Sequence, residues 1–251
     1  MSNRGEIFDE AEGFRTAHEP AMAVIKFDEH LVTDPMDPVA LHMRGVAFGM
    51  VRTAEDRYML AHHGYSGSMP AHMLDSLSEA RRLFERDGET DRVAHVDRDI
   101  GKAHYLAGHR KLARHALDKS VEMFDALNQP AERAMSQIFL GRVSVLDWTE
   151  YMSDQILARA QKHIEPADAE LRELGRGDYE LFGKPTFVFV LAVQGKRKEA
   201  EAQLARGREL LDEHGNPAQA TALDRVGQLN RFERVVPAFV ERYFARKMLL
   251  G

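Results

Sequence analysis

Twelve histidines and forty acidic residues make metal binding the first chemistry to test in this chain of 251 residues. His104, His109 and His115 follow one another at steps of five and six, whereas ligands on one helical face need steps of three or four. The segment 163–170 also carries candidate ligands, but we expect Pro166 to break the helix and separate them. The sequence contains no HExxH motif and no cysteine. It therefore predicts no metal site, and histidines that are solvated or packed between helices.

The sequence also lacks a serine nucleophile motif and a phosphate-binding loop. Ser66 lies in a glycine-rich stretch, but Gly67 follows it directly, whereas a nucleophile elbow needs glycines two residues to either side of the serine. The pair 195–196 reads Gly-Lys, but Val190 stands where a phosphate-binding loop needs its first glycine. Acidic residues are many, yet none has the apolar sequence context suited to general acid or base work. We therefore predict that the protein is not an enzyme and uses no cofactor.

One predicted helical face carries side chains suited to binding rather than to reaction. They recur at steps of three, four and three residues: His95, Arg98, Lys102 and Tyr105. The corresponding positions of the neighbouring units add two more residues: His42 and Arg142. Arg98, Lys102 and Arg142 would supply charge-assisted contacts to an acidic side chain or to the C-terminal carboxylate of an extended peptide. The alternative is a solvated face with ordinary ion pairs, such as Arg98 with Asp97 or Asp99.

Apolar residues at helical spacing place these groups on helices. Val93, Val96 and Ile100 are an example, and no stretch alternates at a period of two over a useful length. Residues 187–191 could form a strand, but a short strand without a partner is unstable, so we interpret them as buried helix. The clearest loops are residues 64–70 and 173–178. The predicted helices are 4–18, 20–33, 38–62, 70–86, 91–107, 110–127, 131–162, 166–174, 179–194, 197–213, 217–229 and 231–249.

Small residues recur where two neighbouring helices would approach closely. The best series in one predicted hairpin begins with the small residues Gly101, Gly108 and Ala113 and continues with Leu117 and Ser120. A step of thirty-four residues from Ala11 to Gly45, with a break at Asp34-Pro35, repeats the same plan near the N-terminus. In these positions the sequence resembles the tetratricopeptide repeat (TPR) family.

The resemblance implies an all-α fold, a right-handed superhelical array of antiparallel helical hairpins known as a TPR-like α-solenoid. It also implies that the first helix of each hairpin lines a concave groove that binds a protein or a peptide. The aromatic residue that the family has early in each first helix is replaced here by Leu41, Asp97 and Lys184. Two first helices, near residues 39–63 and 132–162, are longer than the family's usual unit. The forty-residue spacing of the central repeats is similar to that of the long-repeat variants in the sensor regions of bacterial transcription regulators.

The predicted arrangement is a single helical-repeat domain over residues 1–251. Its repeats cover about 4–37, 38–90, 91–130, 131–178 and 179–215, and residues 216–251 form capping or docking helices. Apolar residues lie on more than one side of the last predicted helix, among them Phe239, Tyr243 and Phe244. This helix either tucks into the superhelix or forms a homodimer contact, and docking on a membrane surface is a third alternative. Trp148 is interpreted as a core residue, with a groove anchor as the alternative.

Composition restricts the partners. A formal net charge of −6 argues against direct nucleic-acid binding, which needs a clustered basic surface. The longest apolar run, residues 187–193, is too short to span a membrane, and the first residues lack an apolar signal core. We therefore expect a cytoplasmic protein that binds a protein or peptide in its groove without enzymatic activity. The alternative is a ligand- or peptide-sensing regulatory protein without its own DNA-binding domain. Arginine outnumbers lysine, which indicates a GC-rich bacterial genome.

Overall fold

The computed structural model describes residues 4–215 and 217–231, and within them the chain forms twelve α-helices and no strand. The all-α prediction is confirmed, and residues 187–191 lie inside a helix as interpreted. None of these helices is both long enough and apolar enough to cross a membrane. The helices are α1 (Arg4–Thr16), α2 (Pro20–Thr33), α3 (Pro38–Phe48), α4 (Ala54–His62), α5 (Met69–Arg86), α6 (Thr90–Leu106), α7 (Arg110–Ala126), α8 (Pro130–Tyr151), α9 (Asp154–Glu173), α10 (Gly177–Val193), α11 (Arg197–His214) and α12 (Pro217–Arg231).

The chain divides into two compact units, residues 1–123 and 124–251. In the first unit, α1 packs on α2, α3 packs on α5, and α5 packs on α6. In the second unit, α8 packs on α9, α10 packs on α11, and α12 packs on both members of that last pair. Each unit is therefore built from helical hairpins joined by short turns. The single domain over residues 1–251 stays a prediction.

Capping residues fix where the helices begin and end. Pro38 occupies the first position of α3, where a missing backbone N–H removes no helical hydrogen bond. Asp37 caps the same helix, because its carboxylate accepts hydrogen bonds from the backbone N–H groups of Val39 and Ala40 at 2.9 and 3.1 Å. Gly108 lies between α6 and α7 with a φ of 77°, a left-handed conformation that favours glycine. These local signals are why the sequence indicated the hairpin turns.

The prediction of one helix over residues 38–62 is wrong, because the structure divides this stretch into α3 and α4. Helix α3 ends at Phe48, and α4 begins at Ala54. Thr53 caps α4, since its hydroxyl oxygen accepts a hydrogen bond from the backbone N–H of Asp56 at 3.0 Å. A threonine followed by acidic residues is a helix start, and apolar spacing alone did not reveal it.

The prediction of a helix over residues 131–162 with a later break at Pro166 is also wrong. Helix α8 ends at Tyr151, because Met152 adopts a left-handed conformation with a φ of 50°. Helix α9 then continues through Pro166 to Glu173. Proline has no N–H to donate to the carbonyl oxygen four residues earlier in the helix. Because Pro166 is exposed, that oxygen can accept a hydrogen bond from water, and the helix bends without ending. Residues 163–170 therefore lie on one helix.

Glycines let paired helices approach closely, as the spacing of small residues predicted. A Cβ atom on Gly101 in α6 would lie 2.6 Å from Cγ of Leu117 in α7. A Cβ atom on Gly141 in α8 would lie 2.7 Å from Cδ1 of Ile164 in α9. Both distances are far inside van der Waals contact, so each hairpin closes only because the residue is glycine.

Two of the residues that stand in the place of the family's aromatics are buried charges. In the first unit, the Asp97 carboxylate lies 2.5 Å from Nε of Arg81 and 3.3 Å from Nζ of Lys119. In the second unit, Lys184 is fully buried. Its Nζ contacts three oxygens, at 2.6 Å on Asp168, 2.9 Å on Glu180 and 2.7 Å on Gln203. The surface side of the two carboxylates is contacted by Arg172 and Arg206.

Trp148 is a core residue, which confirms the interpretation from the sequence. Its side chain is buried, and its ring lies 5.7 Å from that of Phe189 in an edge-to-face arrangement. The predicted interface residues Phe239, Tyr243 and Phe244 lie outside the described part of the chain, as does the predicted helix 231–249 beyond its first residue.

Candidate functional site

The predicted binding face lies on α6, the first helix of its hairpin. His95, Arg98 and Lys102 are half-buried there, one helical turn apart. Arg98 donates a hydrogen bond from Nη2 to Nδ1 of His95 at 3.1 Å, and Nε2 of His95 lies 3.8 Å from the Asp91 carboxylate. We call the side of α6 that carries His95, Arg98 and Lys102 the α6 face. It presents cationic groups on a rigid element, which suits recognition of a carboxylate.

Tyr105 and Arg142 have surroundings different from those of the α6 face. Tyr105 is 2% exposed and belongs to the core of the first unit. Arg142 belongs to the second unit, where Nη2 donates to the carbonyl oxygen of Phe182 at 2.7 Å. Its guanidinium carbon lies 3.7 Å above the ring of Phe182 and 5.6 Å from that of Phe139, so this cation links α8 to α10. The role of each of these residues in binding stays a prediction.

His42 lies at a junction between α3 and α6. Its Nε2 lies 2.8 Å from Oδ2 of Asp99, and the two residues are 57 positions apart in the sequence. Both side chains are shielded from solvent, with 5% of His42 and 14% of Asp99 exposed. The ring also packs edge-on against Phe84 of α5. We call the contact between His42 and Asp99 the α3–α6 joint, since it holds two first helices of the first unit together.

The joint strongly favours the ionised form of Asp99. Burial alone would raise the pKa of this carboxyl, but the hydrogen bond and charge of His42 outweigh it, and Lys102 and Arg98 add to them. The pKa of Asp99 is lowered to about 2. No local pattern in the sequence indicates this pairing, because the two residues are 57 positions apart and meet only when α3 and α6 pack.

The geometry of the described residues supplies no metal centre. Within residues 4–215 and 217–231, no group of three or more histidine and acidic side chains is arranged to hold a metal ion. His104 and His109 lie close together, with their ring centres 5.8 Å apart. Burial and the charge of His109 lower the pKa of His104. The absence of a metal, a cofactor and catalysis stays a prediction.

Several solved structures have folds similar to this chain. The apo form of RapI is 12% identical, with a TM-score of 0.64 and coverage of 97% of this chain and 83% of that chain. Two structures hold nearly identical TPR-like repeats of a Podosopora anserina protein described as a kinesin light chain, each 13% identical to this chain. Their TM-scores are 0.57 and 0.56, and the alignments cover 82% and 85% of this chain and 93% and 98% of theirs. No protein-family model matches the sequence, and no curated protein matches it.

The likeness and the helical hairpins together define the class of fold: the chain is a TPR-like helical-repeat protein. This confirms the resemblance to the tetratricopeptide repeat family, which was based on the small residues and the thirty-four-residue step. Stacked helical repeats form an extended concave surface. At 12–13% identity, the particular partner has to be argued from the residues.

Proposed function

We propose that this protein binds an acidic peptide or protein segment on the α6 face and carries out no chemistry of its own. The observation that supports the proposal is the pair Arg98 and Lys102, which are half-buried and one turn apart on a first helix. Half-buried cations on a rigid helix make stronger contacts to a carboxylate than fully exposed ones, since water screens them less.

The neighbouring first helix supplies apolar contacts. Val39, Met43 and Val46 of α3 are half-buried, and the α3–α6 joint holds this helix next to α6. An extended segment that alternates acidic and apolar side chains would therefore find both kinds of contact on the first unit. A homodimer, a cytoplasmic location and the sensing role stay predictions.

The test uses a fluorescein-labelled peptide with alternating glutamate and leucine and a free C-terminus, which we call the acidic probe. Fluorescence anisotropy measures its dissociation constant for the full chain. The double variant Arg98→Glu/Lys102→Glu should weaken binding at least about tenfold, because two attractive charges become repulsive.

The matched control is Lys198→Glu/Arg208→Glu, which makes the same change in net charge on exposed residues of α11, a second helix. It should leave the dissociation constant within about twofold. Equal losses in the two double variants would mean that only net charge matters, and the α6 face would be the wrong site. Native mass spectrometry of the protein from its host then identifies the partner, and a peptide retained by the Arg98→Glu/Lys102→Glu variant would contradict the proposal.

A further inference from the structure

Asp99 occupies a position that could weaken the α6 face. It follows Arg98 directly and stands three residues before Lys102 on the same helix. Acidic and basic side chains three residues apart on a helix lie close enough to form an ion pair. A carboxylate at this position could therefore pair with Lys102 and repel an acidic ligand.

The structure directs this carboxylate elsewhere. Asp99 meets Nε2 of His42 at 2.8 Å, in the α3–α6 joint. The His42 side chain is 5% exposed, so it reaches Asp99 from inside the unit and lies away from the surface that a ligand would touch. The joint thus binds the one carboxylate that lies between the two cations in the sequence of α6.

We propose that His42 is a positioning residue that keeps the Asp99 carboxylate away from an acidic ligand bound on α6. This inference deepens the proposed function and rests on it. When the joint opens, Asp99 is released, pairs with Lys102 and reduces the positive charge of the α6 face. Because such coupling is reciprocal, an acidic ligand also favours the closed joint.

The proposal predicts effects of opposite sign for the two members of the joint. His42→Leu releases Asp99 and should weaken binding of the acidic probe about fivefold, because an existing negative charge moves several ångströms closer to the ligand. Asp99→Asn removes the carboxylate itself and should strengthen binding about twofold or more. The double variant His42→Leu/Asp99→Asn should bind at least as tightly as the wild type.

If the pair His42 and Asp99 only held α3 and α6 in place, both single variants would bind the acidic probe more weakly than the wild type. The chain offers a matched control in His30, which is 3% exposed and whose Nε2 lies 2.8 Å from the Asp37 carboxylate. His30→Leu removes a buried histidine–aspartate pair of the same length from the first unit and should leave probe affinity unchanged. The loss in His42→Leu should also shrink at high salt, since it arises from charge rather than from shape.

A measurement without ligand separates this inference from the proposed function. Nuclear magnetic resonance reports the pKa of the Asp99 carboxyl directly. Lys102→Gln should raise that pKa more in the His42→Leu background than in the wild type, because Lys102 acts on the carboxylate through charge alone in the closed joint, whereas the released carboxylate forms a direct ion pair with it. An equal rise in both backgrounds overturns the inference, whether or not the probe binds.

The two proposals fail in different ways. If the wild-type protein does not bind the acidic probe, the proposed function is wrong, and the pKa comparison still decides whether Asp99 is released. If the wild type binds and Arg98→Glu/Lys102→Glu does not, the proposed function stands. Equal losses in His42→Leu and Asp99→Asn, or an equal loss in His30→Leu, would then overturn the positioning role alone.

Discussion

Replacing Lys184 with methionine should lower the free energy of unfolding by about 3 kcal/mol at neutral pH. The side chain is fully buried, and its removal leaves Asp168 and Glu180, which are 5% and 1% exposed, without their shared ammonium. Breaking a buried ion pair by removing one partner costs about 3–5 kcal/mol. The lower end applies here because two arginines remain on the outer oxygens of the carboxylates: Arg172 at 3.2 Å and Arg206 at 3.1 Å.

The loss of stability in Lys184→Met should be smaller at lower pH. Burial raises the pKa of Asp168 even with Lys184 beside it. Removing the ammonium raises this pKa further, so the folded variant binds a proton at Asp168 more readily than the folded wild type does. A raised folded-state pKa gives stability that is present at low pH and lost as the pH rises. Lys184→Met should therefore be less destabilising at pH ~5 than at pH ~7.

Urea unfolding followed by circular dichroism measures both effects, and the thermal midpoint should fall by about 6–12 °C. Lys184→Met/Asp168→Asn should recover part of the loss, because a buried amide costs less than an unpaired carboxylate. The exposed Lys198→Met is the control and should change stability by less than about 0.5 kcal/mol. A loss below about 1 kcal/mol for Lys184→Met, or a loss that is the same at both pH values, would refute the reasoning.

Two further predictions concern the hairpin contact and acid stability. Gly141→Ala should destabilise the protein by about 1–3 kcal/mol, because the new Cβ would overlap Ile164. Gly13→Ala should stabilise it by up to about 1 kcal/mol, because no atom lies within 4 Å of a Cβ there and alanine favours the helix. Urea unfolding measures both changes, and the same sign for both would contradict this prediction. The folded-state pKa of Asp99, about 2, lies below its ordinary 3.8, so its ionised form contributes stability above pH ~4 that is lost as the pH falls towards 2. Asp99→Asn should lower the free energy of unfolding by about 2 kcal/mol at neutral pH and make it depend less on pH between pH ~4 and ~2. If the variant and the wild type lose stability equally between these pH values, the joint does not stabilise the ionised Asp99.

Much of the fold could be predicted from local signals. The 3.6-residue period of apolar side chains marked the helices, and small residues such as Gly45 and Gly101 marked the close contacts between helices. These signals are carried by neighbouring residues, so they can be read without knowing what packs where. The helix boundaries at Thr53 and Met152 were missed because caps and single left-handed residues interrupt a helix without changing its apolar period.

The candidate site was only partly predictable. The spacing of His95, Arg98 and Lys102 determined that they share one helical face, since spacing on a helix fixes direction. It could not tell that Tyr105, on the same spacing, is buried, because its exposure depends on which helices cover it.

The sequence by itself determined that the chain forms helical hairpins with a cationic face on one of them. Only the tertiary structure decided the partners of the buried charges. His42 and Asp99 are 57 residues apart, and Lys184 meets Asp168 from a different helix. Periodicity reports which side of a helix turns inward, but the group it meets there depends on how separate helices pack, and that packing alone makes buried charges stable.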